Sequence, residues 1–194
     1  MSVASRGRKR ATVADPEARE FLRKADPVLA RLIDARPDFR PRAWMDELPP
    51  LDEERFGERM PSAAEVLAAD PHVLRESGFS NRKGKTIRAL AERFVDGRLS
   101  DEALAAMTDD EVEATLTEVP GIGPWSARGF LLVALDRPDV FLSGDLALRR
   151  AIQKAYGFDH LPTEDEVAEV SDRWRPYRSL AVSYLFASEY QEQP

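Results

Sequence analysis

Leu116-Thr-Glu-Val-Pro-Gly-Ile-Gly-Pro-Trp-Ser-Ala-Arg128 reads as the end of one helix, a tight glycine turn and the start of a second helix. Just upstream, Thr108-Asp109-Asp110-Glu111 supplies a cap and an acidic first turn, and Val112 and Leu116 then fall on one face. Pro120 lacks a donor, and Gly121 and Gly123 permit backbone angles closed to other residues, so the first helix stops there. Pro124 suits the first turn of the next helix, which is expected to run through Ala127, Phe130, Leu131 and Ala134. Glycines between two helices leave amide N–H groups bare at a helix N-terminus, where a phosphate can approach closely. The same pattern also suits an ordinary helical hairpin with no ligand.

Helical signals continue in both directions. One helix is expected from Pro16 to Lys24, and another behind an Asp26-Pro27 cap through Val28, Leu29, Leu32 and Ile33. Pro37, Pro41, Pro49 and Pro50 interrupt the pattern, with Trp44, Met45 and Leu48 expected to pin that loop to the core. From Pro61 the pattern is dense. Ser62-Ala-Ala-Glu65 is a capping box, Pro71 to Glu76 makes a short helix closed by Gly78, and Ser80 opens a longer one to Val95. The inner face of that longer helix uses Ile87, Leu90, Ala91 and Phe94, and Leu99 to Leu104 forms a further short helix. Asp145 opens an amphipathic helix through Leu146, Leu148, Ile152 and Tyr156, closed by Gly157. Thr163-Glu-Asp-Glu166 caps the next, and Pro176 starts the last, through Leu180, Val182, Leu185 and Phe186. Strand signals are essentially absent, so the expected fold class is all-α.

Composition bounds the function. The 194 residues fit one domain: a disordered basic tail over residues 1–15, then a single helical domain over 16–194 in two lobes, with the hairpin at 109–135. No apolar run approaches a membrane span, and no apolar signal core begins the chain, so a cytoplasmic protein with no membrane partner is expected. With no cysteine, disulfides, a thiolate zinc site and an iron–sulfur cluster are all excluded. His72 and His160 have no evident ligand partners in sequence and are expected at the surface. The net charge of −7 argues against coating nucleic acid by bulk attraction. Basic residues nevertheless cluster at Arg82, Lys83, Lys85 and Arg88, at Arg149, Arg150 and Lys154, and at Arg173, Arg175 and Arg178. Each cluster reads equally as a local phosphate footprint or as a solvated helix face.

Val119-Pro-Gly-Ile-Gly-Pro-Trp-Ser-Ala127, followed by Asp139-Val-Phe-Leu-Ser-Gly-Asp145, resembles the helix-hairpin-helix DNA glycosylases, most closely the bacterial 3-methyladenine DNA glycosylase II type. The resemblance continues through Leu148-Arg149-Arg150 and from Arg173 to Ala181, and covers most of the chain from Pro61 onward. It implies a monofunctional enzyme that excises alkylated purines from duplex DNA in base-excision repair. It further implies a monomer acting on damaged double-stranded DNA, cytoplasmic and nucleoid-associated in a bacterium.

By this resemblance Asp145 is the catalytic carboxylate. Breaking an N-glycosidic bond builds positive charge on the sugar, which a fixed carboxylate stabilises. The helix it begins should keep it ionised. By capping preference alone Asp145 is an ordinary N-cap. Trp125 stands where the bifunctional relatives carry a Schiff-base lysine; in alkyl-base enzymes a tryptophan there stacks on the extruded base. Otherwise it is a buried anchor for the hairpin. Phe186 matches a second aromatic of the base pocket, or is a core residue of the last helix. The resemblance also implies phosphate contacts from the amides of Gly121, Gly123 and Trp125. It assigns the carbonyls of Thr117, Val119 and Ile122 to a structural monovalent cation, and no other cofactor.

One departure stands out. Before Pro61 the family carries a further pair of helices, whereas here Pro50-Leu51-Asp52 runs straight into Glu53-Glu54-Arg55-Phe56-Gly57. Asp52 matches the start of the absent segment and Glu53 its far end. The alternative function is therefore a helix-hairpin-helix DNA-binding module that lost turnover with those helices.

Overall fold

The computed structural model describes residues 16–41 and 60–190. The basic tail, the loop holding Trp44, Met45 and Leu48, and the Asp52-Glu53 junction lie outside the described residues. No strand occurs among the described residues, and the expected all-α class holds. In chain order the helices are α1 (Pro16–Ala25), α2 (Pro27–Asp34), α3 (Ala63–Ala68), α4 (Pro71–Glu76), α5 (Asn81–Val95) and α6 (Asp101–Ala106). They continue with α7 (Asp109–Thr117), α8 (Pro124–Val133), α9 (Leu146–Tyr156), α10 (Glu164–Asp172) and α11 (Arg178–Tyr190). Contacts divide the chain into two compact units, residues 43–131 and the two flanking segments 1–42 and 132–194.

The flanking unit is built on α11. Helices α1, α2 and α9 pack on it, and α10 packs on α9. Leu22, Leu29, Ile33, Leu148, Ile152, Leu180 and Leu185 are almost fully buried. Each such side chain contributes roughly 1.5–3 kcal/mol. At the centre lies a charged residue. Asp26 has no exposed surface, although its local sequence marks it only as a cap. Its Oδ1 does cap α2, accepting from Val28 N at 2.8 Å and Leu29 N at 3.3 Å. Its Oδ2 accepts from the Tyr156 hydroxyl at 2.7 Å and the Trp174 indole N–H at 3.0 Å. The Arg173 guanidinium stands 3.9 Å away. Burial, then the bond to Asp26, pushes the Tyr156 hydroxyl far above the usual tyrosine range.

The other unit is organised by α5, against which α3 and α4 pack. Ser62 and Glu65 form the expected capping box on α3, with Ser62 N to Glu65 Oε2 at 2.8 Å. Arg88, which as a basic residue on α5 was open to a phosphate reading, donates instead to the carbonyls of Val66, Leu67 and Ala69 at 3.0–3.1 Å. It closes the C-terminal end of α3, whose last carbonyls have no partner within the helix.

Several boundaries differ from the sequence expectation. Helix α8 ends at Val133, before Ala134. Leu146 is 47% exposed, so α9 buries Leu148, Ala151 and Ile152 without it. The last helix begins at Arg178 and not at Pro176, which follows a cis peptide bond. Tyr177 N instead reaches Trp174 O at 2.7 Å, so the chain turns before the helix starts.

Tyr156→Phe removes one donor from a buried carboxylate while keeping the ring. A hydrogen bond to a charged group is worth about 1.5–3 kcal/mol, and urea unfolding should register a loss of that order. A change under about 0.5 kcal/mol would show that the hydroxyl is not part of the Asp26 cluster.

Candidate nucleic-acid interface and catalytic carboxylate

The hairpin forms as its residues require. Thr108 and Glu111 make a reciprocal capping box on α7, with Thr108 N to Glu111 Oε2 at 2.7 Å and Glu111 N to Thr108 Oγ1 at 3.3 Å. These bonds from the Thr108 backbone and hydroxyl hold the Glu111 carboxyl below the usual range. Past Thr117 the chain tightens, with Val119 N bonding Leu116 O and Ile122 N bonding Val119 O, both at 3.0 Å. Ala127 N then reaches Gly123 O at 3.0 Å as α8 begins. Arg128 Nε and Nη2 grip Glu113 Oε2 and Oε1 at 2.8 and 3.3 Å, a two-point ion pair between the arms. From α5, Arg93 Nη2 donates to Glu118 O at 3.0 Å.

The two glycines serve different ends. Gly121 has φ +93°, and a Cβ there would overlap the Thr86 hydroxyl. Its identity is demanded by the fold. Gly123 shows neither feature: its φ is not in the left-handed range, and a Cβ would meet nothing within 4 Å. The expectation of special backbone angles therefore holds for Gly121 and not for Gly123. What Gly123 leaves open is bare backbone on the outer side of the turn.

Trp125 occupies the first turn of α8 and is 60% exposed, which excludes the buried-anchor reading. Phe186 is half-buried on α11. Of the three expected cation-binding carbonyls, that of Val119 already accepts from Ile122. The Thr117 hydroxyl turns back to Glu113 O and Ala114 O, at 2.8 and 3.0 Å. Gly121, Gly123, Trp125 and these carbonyls all lie in one short turn of one unit.

Asp145 lies in the other unit and is the N-cap of α9. Its Oδ1 accepts from Leu148 N at 2.8 Å, and the residue is half-buried. The loop that delivers it is stitched to the N-terminal end of α11. Ser179 Oγ donates to Arg137 O at 2.6 Å and accepts from Val140 N at 2.9 Å. Asp139 accepts from Arg178 Nε at 2.7 Å, Arg178 Nη2 at 3.0 Å and Arg175 Nη1 at 2.8 Å. Asp139 and Ser179 fall in stretches that carry the resemblance, but sequence reasoning assigned them no role, because their partners are long-range. The phosphate reading of Arg175 and Arg178 gives way, because both are neutralised within the fold. Arg149 donates to Pro162 O at 2.7 Å, a contact that orients the guanidinium.

His160 is exposed as expected but is not without partners. Its ring bonds Asp159 at 2.7 Å and Glu166 at 3.1 Å, and these carboxylates raise its protonation range. No grouping suited to a metal ion occurs among the described residues. No described helix is long and apolar enough to cross a membrane.

The helical hairpin with its glycine turn is a helix-hairpin-helix motif, and a helix-capping aspartate follows it in the chain. The profile of the HhH-GPD superfamily of base excision DNA repair proteins matches residues 51–176, and the chain belongs to that family. It is 32% identical over 128 residues to a putative DNA-3-methyladenine glycosylase of Bacillus subtilis, covering 66% of this chain and 45% of that protein. It is 29% identical over 129 residues to DNA-3-methyladenine glycosylase 1 of Schizosaccharomyces pombe, covering 66% and 57%. The chain thus spans about half the length of these relatives. Among solved structures it resembles the S. pombe 3-methyladenine DNA glycosylase bound to abasic DNA, with TM-score 0.77 and 25% identity. That match covers 89% of this chain and 96% of the other.

The division of labour between the glycines is testable by thermal melting. Gly121→Ala forces a strained angle and a clash with Thr86, and should cost on the order of 1–3 kcal/mol. Gly123→Ala should stay within about 0.5 kcal/mol of the parent. Equal losses from both would contradict the distinction.

Proposed function

We propose that the protein is a monofunctional DNA glycosylase that excises alkylated purines from duplex DNA. The observation that carries this reading is Trp125: a 60% exposed indole on the first turn of α8, where the resemblance implies a lysine in strand-cleaving relatives. An exposed indole face suits stacking by a flat cationic base. The names of the related proteins in Bacillus and fission yeast point the same way.

In this reading the duplex backbone sits on the amides of the hairpin turn, the damaged nucleotide is extruded, and its base stacks on Trp125. The glycosidic C–N bond breaks with its electron pair leaving on the base. A 3-methyladenine or 7-methylguanine base carries a positive charge beforehand, so it departs neutral without a general acid. The sugar takes oxocarbenium character, which the Asp145 carboxylate stabilises. Water then adds to the anomeric carbon and loses a proton. At ~4 Å and an effective dielectric of ~20 the carboxylate contributes about 4 kcal/mol, or roughly a thousandfold in rate.

The carbonyls of Thr117, Val119 and Ile122 fit a monovalent cation by their chemistry. They are neutral oxygens: Thr117 ends α7 at its negative pole, Val119 and Ile122 lie in the turn beyond, and the Val119 carbonyl, which accepts from Ile122 N, keeps a second lone pair. Such an ion would add positive charge beside the phosphate that the turn receives.

Base release from duplexes containing 3-methyladenine or 7-methylguanine tests the proposal. Asp145→Asn keeps an N-cap of equal quality, so the fold should be retained while base release falls by about a thousandfold. Retention of more than a tenth of the activity would remove Asp145 from its role. Binding without release by the parent chain would favour the non-catalytic module.

A further inference from the structure

Helix α5 carries cations in its first turn, where several other helices carry acids. The first turns of α6, α7 and α10 carry Asp101 and Glu102, Asp109 to Glu111, and Glu164 to Glu166, as the positive end of a helix favours. The first turn of α5 has no acid and holds Arg82 and Lys83, with Lys85 just beyond. All three are exposed, and none makes an ion pair or a side-chain hydrogen bond among the described residues. Farther along the same helix Arg88 and Arg93 are engaged with carbonyls. Three unpaired cations at a helix N-terminus repel one another and the helix dipole. Exposed cations that are engaged by nothing among the described residues are available to an external anion.

Their position identifies that partner. The side of α5 bearing Thr86 packs against the hairpin turn at Gly121, and Arg93 on the same side bonds Glu118. Arg82 and Lys83 precede Thr86 by four and three residues, so they flank that side one turn nearer the helix N-terminus. Lys85 lies about a quarter turn around the helix.

We infer that Arg82 and Lys83, with Lys85 beside them, form a second phosphate grip, onto which a DNA backbone seated on the hairpin turn continues. In a chain of net charge −7, such local neutralisation supplies attraction that the whole protein does not. The inference rests on the DNA reading given above, and it adds a surface that the hairpin motif does not include.

The test is the salt dependence of binding to an undamaged duplex, with log K measured against log [KCl]. Arg82→Ala/Lys83→Ala should flatten the slope by about 1.8, from about 0.9 per phosphate lost. Arg82→Lys/Lys83→Arg keeps both charges and should keep the slope. Lys24→Ala/Arg98→Ala removes two cations that already face Glu20 and Asp96, and should leave the slope unchanged. Equal flattening by both alanine pairs would reduce the effect to bulk charge and overturn the grip. So would an unchanged slope in Arg82→Ala/Lys83→Ala while Gly123→Ala weakens binding, an outcome that leaves the DNA reading standing. Absence of any salt-dependent binding by the parent protein would sink both.

Discussion

A carboxylate with no exposed surface, Asp26, gathers four donors from three separate stretches of chain. Burying a charge is tolerable only when it is saturated with hydrogen bonds, so the cluster is close to all-or-none. Two of its donors come from the start of α2, one from the C-terminal turn of α9 and one from Trp174, ahead of α11. Helix α9 is therefore held at its far end by Tyr156, while its near end is capped by Asp145. The loop leading to Asp145 is held in turn by Asp139 and Ser179 against α11. The candidate catalytic carboxylate is thus positioned by polar contacts at both ends of one short helix.

Much of this was legible in sequence because it is local. Capping boxes at Ser62, Thr108 and Thr163 span only three residues, and all three form. The left-handed Gly157 that closes α9 is equally local. What was not legible is long-range. Asp26 reads as a cap, and nothing nearby announces partners 130 and 148 residues away. Charge clusters fail for the same reason. Arg82 and Arg88 look alike in sequence, yet one is solvated and the other closes α3.

The hairpin shows how structure sharpens a motif. Pro-Gly-x-Gly treats its glycines as equivalent, yet Thr86 and a left-handed backbone explain only the first. Among the described residues nothing requires glycine at 123, and the open backbone there suits close approach by a ligand. Trp125 is large, apolar and 60% exposed beside that turn. The open backbone at Gly123 and the exposed indole adjoin one another, and the exposed cations of α5 belong to the helix that packs on this turn. Together they outline a surface suited to a polyanion with a flat, cationic base.

The chemistry proposed for this surface turns on what Trp125 lacks. A strand-cleaving enzyme needs an amine that attacks the sugar, and an indole cannot form a Schiff base. The nearest lysines in sequence, Lys85 and Lys154, are exposed. The decisive measurement is borohydride trapping during turnover on a duplex carrying one alkylated purine, with strand integrity read before and after alkali. The account predicts no covalent adduct and an intact abasic strand that breaks only on alkaline treatment. Recovery of a trapped protein–DNA adduct would contradict it.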